Sequence, residues 1–179
     1  GTTYTSPFNM PAQNVTINAT SSGCLVEGTL ITLADGTQKP IEELTYTDVL
    51  LVWNFYEGRY ETVPAAAIVN HGYADQRVLT LIFADGSRIE VTSEHGFFDA
   101  LLNKFVFLKE SNVSEYIGHG FMKMNPDGTY YTVPLTGYEV TEEYVCSYSI
   151  LSVAYNNCLA EGFFSLTPLP IENSEAFFD

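Results

Sequence analysis

Short runs rich in β-branched and aromatic residues alternate with turn dipeptides along most of the chain. We predict six of these runs as strands: 30–33, 48–55, 77–83, 87–92, 130–135 and 145–154. Between them lie four Asp-Gly or Glu-Gly pairs, at 35–36, 57–58, 85–86 and 127–128. Such pairs favour tight hairpins because Gly accepts a positive φ. Only 40–44 and 111–117 look helical, so the pattern predicts an all-β fold with very little helix.

One strand-and-turn pattern occurs twice. The run at 30–37, LITLADGT, returns at 79–87 as LTLIFADGS. Each copy is a predicted strand that leads into a hairpin turn. The repetition indicates a domain with two related halves.

Length and charge narrow the class of protein. A chain of 179 residues suits one sizeable domain, and 46% hydrophobic residues, with 12 Tyr and 12 Phe, can fill a core without disulfides. The chain has 22 acidic and 7 basic residues, so its formal net charge is −15. A surface of this charge would repel a phosphate backbone, so we predict no nucleic-acid partner.

The three cysteines, Cys24, Cys146 and Cys158, form an odd set without the paired spacing of metal ligands. They predict neither a disulfide framework nor a zinc site, and we expect no cofactor. The sequence has no apolar run long enough for a membrane span and no recognisable leader. Because the first residue is Gly1 rather than Met, we expect the chain to be a piece of a longer protein.

The most informative stretch surrounds the bond between Gly23 and Cys24. A thiol that follows a glycine meets no side chain as it approaches the glycine carbonyl. The residues after Cys24 include the run GTLITLADGTQKPIEEL at 28–44, and VTSEH follows at 91–95. Together these blocks resemble the Hint superfamily of autoprocessing domains, which inteins and hedgehog proteins share. The resemblance implies a horseshoe-shaped, pseudo-twofold β fold.

The resemblance also assigns roles. Cys24 would attack the Gly23 carbonyl in an N-to-S acyl shift, since sulfur is nucleophilic and its target is held beside it. His95 would protonate the leaving nitrogen, and Thr92 would distort the scissile amide or stabilise the oxyanion. The plainer interpretations are a buried structural cysteine and a structural histidine. His71, His119 and Asp48 are interpreted as structural, exposed or turn residues.

The third block of the superfamily is only partly present. The segments 148–153 and 156–164 are similar to it, but its usual Asp falls near Ser149. Hedgehog domains place a Cys in this region, so Cys146 is the predicted assisting group. The His-Asn pair that ends an intein would fall at 166–167 and is absent, so no cyclisation at the C-terminal end is predicted. Asn157-Cys158 and Asn173-Ser174 are interpreted as chance pairs.

The segment at 8–17 resembles the last strand of internalin-type B repeats. With 2–20 predicted as one or two strands, residues 1–23 would be the end of an upstream β-repeat domain. We therefore expect a secreted or cell-surface protein of a bacterium. Residues 24–168 would form the Hint domain, of bacterial hedgehog-like or intein-like type, and 169–179 a tail.

These inferences predict a single-turnover self-processing domain. Its substrate would be its own upstream polypeptide, and water, a thiol, an amine or an alcohol would resolve the thioester. We expect a monomer without a membrane span. Two alternatives stay open: a catalytically silent Hint-like β module of a surface protein, and protein splicing that uses Asn173 and Ser174.

Overall fold

The computed structural model describes residues 24–65, 67–92, 94–151 and 153–167. The predicted upstream strands, the tail at 169–179, and Gly23, Asn173 and Ser174 lie outside the described residues.

Thirteen strands make up most of the described residues. They are β1 Cys24–Val26, β2 Leu30–Thr32, β3 Gln38–Pro40, β4 Val49–Asn54, β5 Arg59–Pro64, β6 Ala67–Phe83, β7 Arg88–Thr92, β8 His95–Asp99, β9 Lys104–Leu108, β10 Gly120–Met124, β11 Tyr130–Leu151, β12 Asn157–Ala160 and β13 Phe163–Leu166. Within the described ranges, helical structure is limited to 3₁₀ turns at Ile41–Glu43, Val113–Tyr116 and Ala154–Asn156. No helix in these ranges is long enough to cross a membrane. The prediction of an all-β fold with very little helix is confirmed.

Eleven strands form one sheet, and β4 and β5 pair separately. Strands β6 and β11 are its longest pair, and their register runs from Leu135 opposite Phe83 to Leu151 opposite Ala67. The short strand β1 pairs with β7 on one side and with β11 on the other. This double pairing places the first described residue, Cys24, between two strands that are distant in sequence.

The repeated hairpins share one hydrogen-bonding scheme. The Leu33 amide donates to the Thr37 carbonyl over 2.7 Å, and the equivalent bond from Phe83 to Ser87 is 3.0 Å. In both turns the Asp side chain accepts from the amide and the hydroxyl two residues later. The turn glycine has a φ near 86° in both copies, which other residues rarely adopt. The predicted repeat is therefore a repeat of structure.

The core contains a large aliphatic cluster and a smaller aromatic one. Trp53, Phe55, Phe98 and Phe164 are buried together in the aromatic cluster. Asn157, fully buried, fixes this region by hydrogen-bonding both backbone groups of Trp53. Its Oδ1 accepts from the Trp53 amide over 2.8 Å, and its Nδ2 donates to the Trp53 carbonyl over 2.7 Å. The pair Asn157-Cys158 thus has a structural explanation.

Candidate active site

Cys24 begins β1 and lies directly opposite Thr92, the last residue of β7. The next residue, Leu25, is paired with Tyr148 on β11 and is buried. Burial of Leu25 and Val26 in hydrophobic clusters anchors the short strand, so the position of Cys24 is set by packing as well as by pairing. Side chains of directly opposed residues point to the same face of a sheet, and Thr92 therefore lies beside Cys24.

On the other side of Cys24 lies a hydroxyl that is bonded to an imidazole. The Cys24 Sγ atom is 3.3 Å from Ser149 Oγ on β11. The same Oγ is 2.9 Å from Nε2 of His71 on β6. Ser149 is buried, whereas His71 is exposed. Three groups that exchange protons are therefore joined in one hydrogen-bonded chain.

A β-bulge lies beside the contact between His71 and Ser149. Between the pairs Cys146–Tyr73 and Tyr148–Asn70, two residues of β6, His71 and Gly72, face one residue of β11. Gly72 has a φ of 80°, which a glycine adopts without strain. A bulge of this kind redirects side chains and is common beside active sites.

Asn70 and Cys146 support the bulge. Asn70 Oδ1 accepts from the Gly72 amide over 2.8 Å and from the Cys146 thiol over 3.1 Å. Hydrogen bonding and burial beside Cys146 raise the pKa of Tyr148 to about 12, so this phenol is neutral at pH 7. The predicted assisting group therefore contacts Asn70, and the residue beside the Cys24 thiol is Ser149.

His95 opens β8 and is held by a second serine. Its Nε2 lies 2.6 Å from Ser165 Oγ, and the ring packs 5.0 Å from Phe97. Cys158 is paired with Ser165 across the sheet. Burial raises the pKa of the Cys158 thiol to about 12, despite an opposing effect from its hydrogen bond to Ser165. Cys158 is therefore a neutral, buried thiol opposite the serine that contacts His95.

A narrow cleft joins the surroundings of His95 to those of Cys24. Leu25, His95, Ser149, Ser165 and Thr167 all line it. The cleft has room for about one water molecule. The Thr167 hydroxyl is buried and makes no hydrogen bond within the part of the chain that the structure describes. His95 is thus on the same side of the fold as the neighbours of Cys24.

Solved structures with the same architecture are inteins and intein-like domains. A DnaB intein from Synechocystis sp. PCC 6803 matches with a TM-score of 0.65 and 17% identity, over 82% of this chain and 99% of that chain. The PabCDC21-1 intein matches at 0.67 and 16%, over 81% and 98% of the two chains. A bacterial intein-like domain from Clostridium thermocellum matches at 0.61 and 16%, also over 81% and 98%.

This chain has the Hint fold. At these identities the likeness is one of fold, and function has to be argued from the site. No protein-family model matches the sequence, and neither does any curated protein.

Within the Hint fold, the structure pairs two of the predicted site residues and places a third in a cleft that their neighbours line. Cys24 and Thr92 are paired, and His95 lines the adjoining cleft. Cys146 lies three residues before Ser149 on β11, and its thiol donates a hydrogen bond to Asn70. Gly23, the predicted acyl donor, is outside the described residues.

Sequence reasoning missed the pair of Ser149 and His71. The glycine after His71 predicts a structural or exposed residue, and the resemblance to hedgehog domains favours Cys146 over Ser149 as the assisting group. The available signal was the position of Ser149, where the third block usually carries an Asp. No local pattern links Ser149 to a histidine 78 residues earlier.

The other residues interpreted as structural have structural contacts in the Hint fold. Asp48 accepts from the Thr45 amide over 2.8 Å and pairs with Lys39 at 3.1 Å, as a turn residue would. His119 Nδ1 is 2.6 Å from Oδ2 of the fully buried Asp99. Among the described residues, no three His, Cys, Asp or Glu side chains are grouped as metal ligands would be.

Proposed function

We propose that this Hint domain cleaves its own chain at the bond between Gly23 and Cys24 by an N-to-S acyl shift. The observation that carries the proposal is the position of Cys24 at the start of β1, with Thr92 opposite it, Ser149 beside its thiol, and His95 in the adjoining cleft. The likeness of the fold to inteins supports it further.

The first step exchanges an amide for a thioester. The Cys24 sulfur, as thiolate, attacks the Gly23 carbonyl carbon and forms a tetrahedral oxyanion. Thr92 carries a hydroxyl on the strand opposite Cys24, and we assign it to stabilise this oxyanion or to hold the amide out of plane. Because nucleophile and carbonyl are neighbours in the chain, the attack needs no encounter between separate molecules.

Collapse of the intermediate breaks the bond between the Gly23 carbonyl carbon and the Cys24 nitrogen. The nitrogen must leave as an amine and needs a proton, which we assign to His95. Ser165 Oγ lies 2.6 Å from Nε2 of this ring. The buried serine and the aromatic neighbour Phe97 fix the ring in one orientation, which favours a directed proton transfer.

Water or an external thiol, amine or alcohol then attacks the thioester and releases the upstream polypeptide. We propose no cleavage at the other end of the domain. Position 167, where a cyclising Asn is expected from the spacing, is occupied by Thr167. A threonine side chain has no carboxamide nitrogen with which to form a succinimide.

The proposal is tested by incubating the purified chain with dithiothreitol or hydroxylamine and following the intact mass. We expect a fragment that ends at Gly23 and a complementary fragment that begins at Cys24. Both should be absent for Cys24→Ala and His95→Ala. His119→Gln, which replaces the imidazole bonded to Asp99, is the matched control and should still cleave. The same treatment in concentrated guanidinium chloride should give no cleavage.

An unchanged mass after days would favour the alternative of a silent Hint-like module. A product in which Gly23 is joined to Ser174, in a chain with its native flanking residues, would instead indicate splicing.

Cys146 remains a predicted assisting group, and Cys146→Ala tests it in the same assay. Slower cleavage of a folded Cys146→Ala variant would support that role.

A further inference from the structure

Cys24 has a continuous hydrogen-bonded route to an exposed imidazole. Its thiol contacts Ser149 Oγ at 3.3 Å, and that Oγ contacts His71 Nε2 at 2.9 Å. The middle group is buried, and the terminal one is open to solvent. A thiol needs such a route because it is mostly protonated at neutral pH, whereas the nucleophile is the thiolate.

We infer that His71, acting through Ser149, is the base that activates Cys24. This inference rests on the proposed function, since it supplies the proton acceptor for the attack on Gly23. It makes Ser149 and His71 positioning and proton-transfer residues of the same reaction. His95 serves the other proton transfer, to the leaving nitrogen.

The proton balance of the relay is simple. The Cys24 thiol gives its proton to Ser149 Oγ as Ser149 gives its own proton to His71 Nε2. To accept this proton at Nε2, the imidazole has to carry its own proton on Nδ1. The products are a Cys24 thiolate and a His71 imidazolium, which keeps the proton and stabilises the thiolate by its positive charge until the sulfur attacks. No oxidant, metal or other reactant is required.

The contact lies beside a bulge. Ser149 faces Val69, and His71, two residues farther along β6 and on the same face, is its diagonal neighbour. The extra residue of the bulge, at Gly72, follows His71 directly and is held by Asn70. Bulges are common next to active sites, so one adjacent to a histidine that contacts the neighbour of the nucleophile is consistent with a functional role.

Alkylation of Cys24 tests the relay independently of cleavage. Wild type, His71→Gln and Ser149→Ala are treated with iodoacetamide, and labelling of Cys24 is followed by peptide mass mapping. At neutral pH we expect labelling to slow by about tenfold in both variants, because the thiolate fraction falls. At alkaline pH, where the thiol ionises without help, the three rates should converge. Asp75→Asn, an exposed change on β6, is the matched control and should match wild type.

The two pH conditions distinguish activation from shielding. Every variant keeps the other titratable groups around the relay, which include Tyr148 and Cys146 on β11, Tyr73 with its partner Glu27, the nearby Glu42, and His95 in the adjoining cleft. A variant that merely covers or distorts the site would slow labelling at both pH values. Equal labelling of wild type and both variants at neutral pH overturns the inference.

The rate of thiol-induced cleavage is the second test of the relay. If the chain cleaves, His71→Gln and Ser149→Ala should each slow it by about tenfold or more, and the double variant should be no slower than the slower single one. Additive losses, or no loss, overturn the relay while leaving the proposed cleavage intact. If the chain does not cleave, the proposed function fails, and the alkylation arm still decides whether the relay exists. Ser149→Ala keeps the decision possible should His71→Gln not fold.

Discussion

Cys24 and Thr92 face each other across the antiparallel pair of β1 and β7, although 67 residues separate them, as their numbers show. Thr92 ends its strand and is buried, so its hydroxyl is held beside the nucleophile by the sheet rather than by a flexible loop. This relationship makes the hydroxyl, and not merely the bulk, of Thr92 the feature to test.

We expect Thr92→Val to slow thiol-induced cleavage by about a hundredfold, because it keeps the shape of the side chain and removes a group that stabilises the oxyanion. Thr92→Ser, which keeps the hydroxyl, should retain most of the rate. The measurement is the time course of intact mass in dithiothreitol. Thr80→Val, an equally buried change on β6, is the control. A loss of similar size in Thr80→Val would mean that the effect is one of folding.

The strands that the sequence predicts best are those beside Asp-Gly turns, because the residues that fix such a turn lie within a few positions of one another. The turns at 35–36 and 85–86 combine a glycine at positive φ with an Asp that caps its own turn. The central parts of β6 and β11 carry no such signal. Their side chains are largely exposed and polar, and the strands exist there because each pairs with the other.

The same distinction applies to the site. Cys24, Thr92 and His95 lie in motifs that can be recognised within a few residues of chain. Ser149 and His71 lie on two long strands that are distant in sequence, and they meet only because these strands pair, beside a bulge in β6. Such a contact depends on tertiary pairing, so no local pattern could have predicted it.

Alkylation of the folded protein should distinguish Cys24 from Cys158 by their rates of labelling. At pH 8 we expect iodoacetamide to modify Cys24 well before Cys158. Burial raises the pKa of Cys158 to about 12 and leaves its side chain 1% exposed, so both thiolate content and access are low. Peptide mass mapping over time gives the order, and urea should abolish the protection of Cys158. Equally rapid labelling of both thiols in the folded protein would contradict this burial.

Asp85 should make a pH-dependent contribution to stability. Burial raises the pKa of its carboxyl, but hydrogen bonds from Lys123, at 2.6 Å, and from Ser87 outweigh this and lower the pKa to about 2. A pKa below the ordinary value of 3.8 stabilises the folded state above pH 4, and this contribution is lost as the pH falls toward 2. Asp85→Asn should therefore lower the free energy of unfolding by about 1–2 kcal/mol at pH 7.

Urea denaturation at several pH values measures this effect. The difference between wild type and Asp85→Asn should shrink between pH 4 and pH 2. Asp127→Asn is the matched control, because Asp127 makes the same turn contacts with Thr129 but has no ion pair within the described residues. Its effect at pH 7 should be smaller. A difference between wild type and Asp85→Asn that stays constant with pH would show that the Lys123 pair contributes nothing through ionisation.

Asn157 should be among the most sensitive polar positions of the core. Asn157→Ala would leave the buried amide and carbonyl of Trp53 without their side-chain partner, and it should lower the free energy of unfolding by about 2–4 kcal/mol. Asn157→Asp keeps an oxygen for the Trp53 amide but turns its other oxygen toward the carbonyls of Trp53 and Tyr155. At pH 7 this variant should therefore be at least as unstable as Asn157→Ala.

The pH dependence of the two variants separates charge repulsion from lost packing. As the pH falls and the introduced carboxyl becomes protonated, Asn157→Asp should regain stability relative to Asn157→Ala, because a neutral carboxyl can donate to one carbonyl. Thermal unfolding of both variants at pH 7 and pH 5 measures this. Asn125→Ala, which removes a hydrogen bond to Thr129 in a surface turn, is the control and should cost less. If Asn157→Ala is as stable as Asn125→Ala, the two bonds to Trp53 do not hold β12 to β4.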